Sequence, residues 1–293
     1  MTPKTQNELP SLRESLEQHG LMAKKSFGQH FLLDLNITRK IVRLGGPFDG
    51  DVVIEVGPGP GGLTRALLES EARSVLAIEK DARFIELLSE LNDAYGARFD
   101  VIEADAVKAD ERALLAERDL GEAAHLVSNL PYNVGTPLLI KWLTGPWQPL
   151  SMTLMFQLEV ALRVVAPVDD NDYGRLSVIA QVLCDCEKLM DLPARAFTPP
   201  PKVDSAVVKL TPKADRPDAQ LIKNLEKVTA AAFGQRRKML RASLKPLGGE
   251  ALLEKAGIDP TARAETISPD QFIQLSRVHL QTLQSTSNHY FRE

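Results

Sequence analysis

The chain has 293 residues, 44% hydrophobic and 25% charged, with 35 Lys and Arg against 39 Asp and Glu, a net charge of −4 and a pI near 5.8. That is the composition of an ordinary globular protein, long enough for one large core and a smaller second unit. No apolar run approaches the roughly 20 residues of a membrane span, and the opening MTPKTQNELPSLRESLEQHG lacks the charged-then-apolar order of a secretory signal. A cytoplasmic protein with no membrane contact is expected.

In chain order, Ser11-Leu-Arg-Glu14 is a capping-box pattern and predicts a short helix from Ser11 to His19, closed by Gly20. A helical segment follows from about Leu35 to Leu44. From Asp51 the pattern alternates. DVVIEVG, SVLAIEK, FDVIEADA, AHLVSN and SMTLMFQ read as strands, while GLTRALLESE, ARFIELLSELNDAYG, DERALLAERD, TPLLIKWLT and LEVALRVVA read as the helices between them. This alternation predicts an α/β fold with a parallel sheet covered on both faces. RLSVIAQVLCDCEKLM and DSAVVKLTP read as two further strands closing one edge with an antiparallel partner. Beyond about Pro217 only helical patterns remain, among them LIKNLEKVTAAAF, QRRKMLRASLK, GGEALLEKAG and SPDQFIQLSRVHL, and the tail QSTSNHYFRE shows no periodicity. The expected organisation is an N-terminal arm over 1–50, a sheet domain over 51–213, a helical domain over 214–283 and a loose tail over 284–293.

Charge is unevenly spread. Residues 201–293 hold 15 Lys and Arg against 10 Asp and Glu, which leaves 20 against 29 for residues 1–200. A basic final third on an acidic body suggests a polyanion contact confined to one region, and simple compositional drift would look the same. Cys184 and Cys186 stand two apart in a strand-like run and are expected to be reduced. The five histidines show no metal-ligand spacing, so no metal is expected.

The strand DVVIEVG runs into Gly57-Pro58-Gly59-Pro60-Gly61-Gly62 and then into helix. Glycines there let a tight turn and a helix N-terminus approach a ligand closely. Glu79 ends the next strand 22 residues after Gly57, where a carboxylate can accept from both hydroxyls of a ribose. The spacing of Gly57, Gly59 and Gly62 also satisfies a dinucleotide pattern. Two prolines stiffen the loop, however, and Glu55 precedes it. Both favour a phosphate-free, cationic cofactor, S-adenosylmethionine. Asp105, at the end of the third strand, is placed to accept from an adenine amine, or to cap the following helix.

Asn129-Leu130-Pro131-Tyr132 follows an apolar strand, where a parallel sheet delivers its strand ends to a ligand. The Asn129 carboxamide oxygen and the Leu130 carbonyl can accept the two hydrogens of an exocyclic amine. Pro131 fixes the backbone, and the Tyr132 ring offers a face for a base. An ordinary Pro-Tyr turn is the alternative. Phe197 is a candidate for the opposite face of the base, or for the core. Taken as one helix, QRRKMLRASLK brings Arg237, Lys238, Arg241 and Lys245 within an arc of roughly 100°, beside an apolar face of Phe233, Leu240 and Leu244. That arc reads as a phosphate-facing surface or as a solvated charged face. Lys24 and Lys25 could add a second contact.

KKSFGQHFL, EVGPGPGGLT, IEKD, EADAV, NLPYN, YGRLSV, AFTPPPKVDSAVV and FGQRRKMLRASL, spread in order from Lys24 to Leu244, give the chain its resemblance to the small-subunit ribosomal RNA adenine dimethyltransferases. That family is linked to kasugamycin sensitivity, and its relatives include the erythromycin-resistance methyltransferases and mitochondrial transcription factor B. The resemblance implies a Rossmann-like, S-adenosylmethionine-dependent methyltransferase sheet with a small all-helical C-terminal domain. It implies cofactor contacts from Gln29, His30 and Leu32, with Gly57, Glu79, Asp105 and Asn129 lining the site. It further implies N6 dimethylation of two adjacent adenosines near the 3′ end of 16S rRNA, within the immature small subunit, by a monomer. Two positions depart from the family pattern: His30 stands where Asn is usual, and Leu158 where Lys is usual. Alternative readings are large-subunit methylation in the erythromycin-resistance manner, a ribosome-assembly binding factor and a nicotinamide oxidoreductase.

Overall fold

A computed structural model describes residues 9–21, 30–235 and 237–290, with side chains through 285. The capping box forms as its residues dictate. Ser11 Oγ accepts from the N–H of Glu14 and Glu14 Oε2 accepts from the N–H of Ser11, opening α1 (Leu12–Gln18). A two-residue strand, β1 (Phe31–Leu32), leads through the N-cap Asp34 into α2 (Leu35–Gly45). The alternation then runs β2 (Val52–Val56), α3 (Gly62–Leu68), β3 (Ser74–Glu79), α4 (Ala82–Tyr95), β4 (Phe99–Glu103), α5 (Glu111–Ala116), β5 (His125–Asn129), α6 (Gly135–Thr144), β6 (Met152–Gln157) and α7 (Leu158–Val165). Every residue of β2 and β3 is buried, as parallel strands covered on both faces require.

The RLSVIAQVLCDCEKLM run departs from expectation. Its first half is a helix, α8 (Arg175–Leu183), and only the second half is a strand, β7 (Cys184–Leu192). A short apolar run fits a buried helix as well as a strand. Here the N–H of Gly174 donates to Ser177 Oγ at 3.0 Å, the N–H of Val178 donates to the carbonyl of Gly174, and α8 packs on helices of the C-terminal third. Next come β8 (Phe197–Thr198) and β9 (Ser205–Pro212), then α9 (Ala219–Phe233), α10 (Leu240–Ser243), α11 (Gly249–Lys255) and α12 (Pro269–Tyr290). Cys184 and Cys186 are free thiols, and burial pushes that of Cys184 up to about 12.

The seven-stranded sheet has the order β4-β3-β2-β5-β6-β9-β7, and β1 pairs antiparallel with β8 in a separate small sheet. β4, β3, β2, β5 and β6 are mutually parallel, and β9 runs antiparallel to β6 as expected of that edge. Strand order reverses between β2 and β5, so the chain leaves the carboxyl ends of these neighbours in opposite directions. Crevices for ligands open at such switch points. At the amino ends, His125 bonds Ser151 Oγ at 2.8 Å and Asp51 at 3.1 Å, which accounts for a buried histidine without a ligand role.

The chain divides into two compact units: residues 1–142, 147–161 and 187–211 in the first, and 143–146, 162–186 and 212–293 in the second. The second therefore takes in α8 as well as the C-terminal helices, which the sequence boundary at 213 does not anticipate. Its core gathers Tyr173, Val178, Leu225, Leu240, Leu244, Leu253 and Phe272. The first unit's core is built on Val53, Leu67, Val75, Leu88, Val127 and Val207.

Two further expectations are corrected. The segment from Gln284, which shows no periodicity, continues α12 as helix to Tyr290. QRRKMLRASLK is not one helix: α9 stops at Phe233, and among the described residues of the segment only Leu240–Ser243 is α-helical. The N–H of Leu240 donates to Ala262 and that of Arg241 to Pro260, while Met239 bridges Arg263. Long-range backbone bonds thus replace the local ones a continuous helix needs. Arg237, Lys238, Arg241 and Lys245 are exposed on a turn, a single α-helical turn and the 3₁₀ turn (Lys245–Leu247) after it, rather than on one helical arc.

Candidate active site

The glycine loop after β2 is shaped by two close approaches. A Cβ on Gly59, whose φ is +53°, would lie 3.3 Å from the Phe31 ring, and one on Gly62 would lie 2.4 Å from the carbonyl oxygen of Leu32. Any side chain at 62 would therefore push β1 off the loop. Glu79 holds the loop from β3. Its Oε2 accepts the N–H of Gly59 at 3.1 Å, and its Oε1 accepts those of Lys80 at 2.8 Å and Asp81 at 2.9 Å. Burial raises the Glu79 carboxyl above its ordinary value, and these three amides oppose the rise.

The loop, the end of β5 and β1 enclose a cavity of about 540 Å³, within the size of small-molecule sites. His30, Phe31 and Leu32 line it from the N-terminal side, with Glu55 of β2, Gly57 and Gly59 of the loop, Glu79 of β3 and Phe84 of α4. Asn129, Leu130, Pro131 and Tyr132 complete it. Glu55, which the sequence marks only as an acid favouring a cationic cofactor, is 1% exposed, and its Oε2 has no hydrogen-bond partner among the described residues. Burial pushes its carboxyl up to about 8. Thr64 opposes that rise and the Glu79 charge adds to it.

Asn129 ends β5 beside this wall, and its Nδ2 donates to the carbonyl of His30 over a long 3.5 Å. Tyr132 is held at two points. Its hydroxyl pairs with Ser205 Oγ at 2.8 Å, and its ring stacks on His30 with centroids 5.8 Å apart. The His30 Nδ1 is 2.7 Å from the carbonyl of Pro199, and since a carbonyl only accepts, Nδ1 carries the proton. His30 thus ties the N-terminal arm, the Asn129 turn and the loop after β8 together.

Other expected residues lie elsewhere. Phe197 is a correction: it is 3% exposed, pairs with Leu32 across β1 and β8, and belongs to the first unit's core, not to the cavity wall. Asp105 stands outside the lining. It accepts from Lys80 Nζ at 2.9 Å and from the N–H of Val107 at 3.1 Å, and these bonds hold its carboxyl below the ordinary value. Lys141 fixes the loop carrying Asp105, a role with no sequence signal. From α6 its Nζ reaches the carbonyls of Ala106 at 2.8 Å and Ala109, and Glu111 at 2.7 Å, while Trp142 Nε1 reaches Glu111 at 2.6 Å. Leu158, at the family's lysine position, opens α7 with its N–H on Asp204. Lys24, Lys25 and Gln29 lie outside the described residues.

A parallel sheet with its crevice at the β2–β5 reversal, a glycine loop and an acidic wall define a Rossmann-like methyltransferase. The sequence profile described as "Ribosomal RNA adenine dimethylase" matches residues 20–280, and the chain belongs to that family. It is 65% identical over 268 residues to Ribosomal RNA small subunit methyltransferase A of Phenylobacterium zucineum, covering 92% of each chain. It is 63% identical over 259 residues to the protein of the same name from Caulobacter vibrioides, covering 88% of this chain and 98% of that one. Among solved structures it is similar to a dimethyladenosine transferase from Plasmodium falciparum, at 27% identity and a TM-score of 0.71, over 84% of this chain and 96% of that one. It also resembles the 23S rRNA methyltransferase ErmE, at 27% identity and a TM-score of 0.65, over 85% and 98%.

Proposed function

We propose that the protein transfers methyl groups from S-adenosylmethionine to the N6 amines of two adjacent adenosines near the 3′ end of 16S rRNA. The substrate is the immature small subunit, and the enzyme acts as a cytoplasmic monomer. The observation that carries this reading is the position of Asn129, at a strand end opening on a cavity whose lining, among the described residues, includes Glu55 and Glu79 but no Lys or Arg. Such a wall suits a phosphate-free cation and repels a pyrophosphate.

When bound, the cofactor supplies an activated methyl group on a positively charged sulfur. Within this chain, Glu79 would accept from the ribose hydroxyls while keeping the glycine loop in place, and Phe31 and Phe84 give apolar surface. An adenine amine is a poor nucleophile because its lone pair is delocalised into the ring. Accepting its two hydrogens at Asn129 Oδ1 and the Leu130 carbonyl favours a pyramidal nitrogen with its lone pair exposed. The bond from Asn129 Nδ2 to His30 leaves Oδ1 as that acceptor. Tyr132, braced by Ser205, offers its ring to the unstacked base. Asp105 would meet the adenine of the cofactor from the loop that Lys141 fixes. In the second unit Arg237, Lys238, Arg241 and Lys245 would contact phosphates, and the bridge from Met239 brings Arg263 beside them.

Incubation with labelled S-adenosylmethionine and unmethylated immature small subunits, followed by mapping of the modified nucleotides, tests the assignment. Label on two adjacent adenosines near the 3′ end is the expected result. Label confined to large-subunit RNA would overturn it in favour of the erythromycin-resistance manner.

A further inference from the structure

Glu55 is a lining side chain to which the transfer step gives no task. It lies in β2 two residues before Gly57, beside Ala77 of β3, and its Oε2 is buried without a hydrogen-bond partner among the described residues. A carboxylate in that setting is strongly disfavoured, so burial holds it as the neutral acid, in keeping with a value pushed up to about 8. Among the described residues, the elements around it supply no cation. From β3 comes another carboxyl, Glu79, and from α3 the neutral Thr64. Arg65 of α3 spends its guanidinium on the carbonyl of Pro10 at 2.6 Å and on Ser15 Oγ. From β5, Ser128 donates to the carbonyl of Val56 and Asn129 is uncharged, while His30 commits Nδ1 to Pro199. Lys80 pairs with Asp105.

We propose that Glu55 is a proton-exchanging cation seat, neutral in the free protein and giving its proton to solvent when the positively charged methionine end of the cofactor occupies the cavity. The proposal rests on the cofactor assignment above. The O–H bond of the carboxyl breaks, the proton passes to buffer, and the carboxylate pairs with the ligand's cation; no electrons are exchanged. Binding is then linked to pH, with affinity falling from pH 8 toward pH 6 by a limit of about tenfold per unit. Glu79 faces the same cavity, so removal of Glu55 alone separates the two.

Calorimetric titration of the full chain at pH 7, in two buffers of different ionisation enthalpy, counts the protons released on binding S-adenosylmethionine or S-adenosylhomocysteine. The unaltered protein is expected to release a large fraction of one proton, and Glu55→Gln to release less than about half as much. Affinity of the unaltered protein is expected to drop at least about fivefold from pH 8 to pH 6, and that of the variant less than about twofold. Release with S-adenosylmethionine alone assigns the seat to the sulfonium; release with both assigns it to the ammonium. Binding without release, or equal release by the variant, overturns the seat and leaves the cofactor assignment standing. Absence of binding to either ligand removes the cofactor assignment and the seat with it. If the variant folds poorly, a flat pH dependence in the unaltered protein is sufficient to overturn the proposal.

Discussion

The carboxylate of Glu79 accepts the backbone N–H of Gly59 across 3.1 Å, so the residue that closes β3 also sets the shape of the loop that closes β2. The same carboxylate accepts two more amides from its own strand end. Its loss leaves three donors to find water and lets the loop relax. Glu79→Ala is expected to weaken S-adenosylhomocysteine binding by at least about tenfold, since hydrogen bonds to a charged group contribute about 1.5–3 kcal/mol. Calorimetric titration of the variant checks this, and unchanged affinity would mean the loop holds its shape unaided.

Asn129→Ala removes the amine acceptor and leaves the glycine loop untouched. Turnover is expected to fall by about 10²–10³-fold, as for loss of a single well-placed polar group at a reacting centre. Cofactor affinity should change only slightly. Single-turnover methylation beside a binding titration separates the two effects, and near-normal turnover would remove Asn129 from the chemistry.

Lys141 places its three N–H groups on three acceptors of the loop from Ala106 to Glu111. Lys141→Met should loosen that loop and weaken cofactor binding about three- to thirtyfold, with turnover at saturating cofactor unchanged. Trp142→Phe, which strips only the second donor from Glu111, should lower Tm without this loss of affinity. Equal affinity losses in both variants would reduce Lys141 to a general stabilising role.

His279 is buried in the second unit, with Nδ1 on Asn224 Oδ1 at 2.9 Å and Asn224 Nδ2 on the carbonyl of Ser276 at 2.6 Å. Burial, aided by the Lys227 charge, lowers its pKa from the ordinary 6.5. The folded chain therefore binds this proton less readily than the unfolded chain. The resulting stability is present above pH 6.5 and is lost as pH falls through the folded value. Thermal melts from pH 7.5 to 5.5 should show Tm falling, with a smaller fall in His279→Gln. Identical slopes would place the acid sensitivity elsewhere.

Reversing charge at Arg237, Arg241 and Arg263 should weaken RNA binding and reduce its salt slope by roughly one unit per lost phosphate contact. Arg263→Glu alone is the sharper probe, because long-range backbone pairing of residues 239–241 with 260–263, and not sequence proximity, brings it to the basic turn. A salt slope unaffected by Arg263→Glu would confine the contact to residues 237–245.

The parallel sheet is legible in the sequence because its signals are local: fully apolar strands, capped helices and turns at short spacing. The glycine loop and the Asn129 turn are legible for a related reason, as each chemistry sits within a few consecutive residues at a strand end. α8 reads as a strand because a short apolar run carries no period that separates helix from strand, and packing on α9 and α12 decides it. The basic segment reads as one helix because its backbone bonds go to residues 260–262, partners no local window contains.

The amino-acid order alone determined which strand ends meet a ligand and which residue types stand there. Only the tertiary structure decided what each of those residues can do. It buried Phe197, paired Asp105 with Lys80, set Lys141 on a loop 30 residues away and left Glu55 unpaired on the cavity wall. Such outcomes turn on distance and desolvation between segments remote in sequence, and those quantities exist only once the chain has folded.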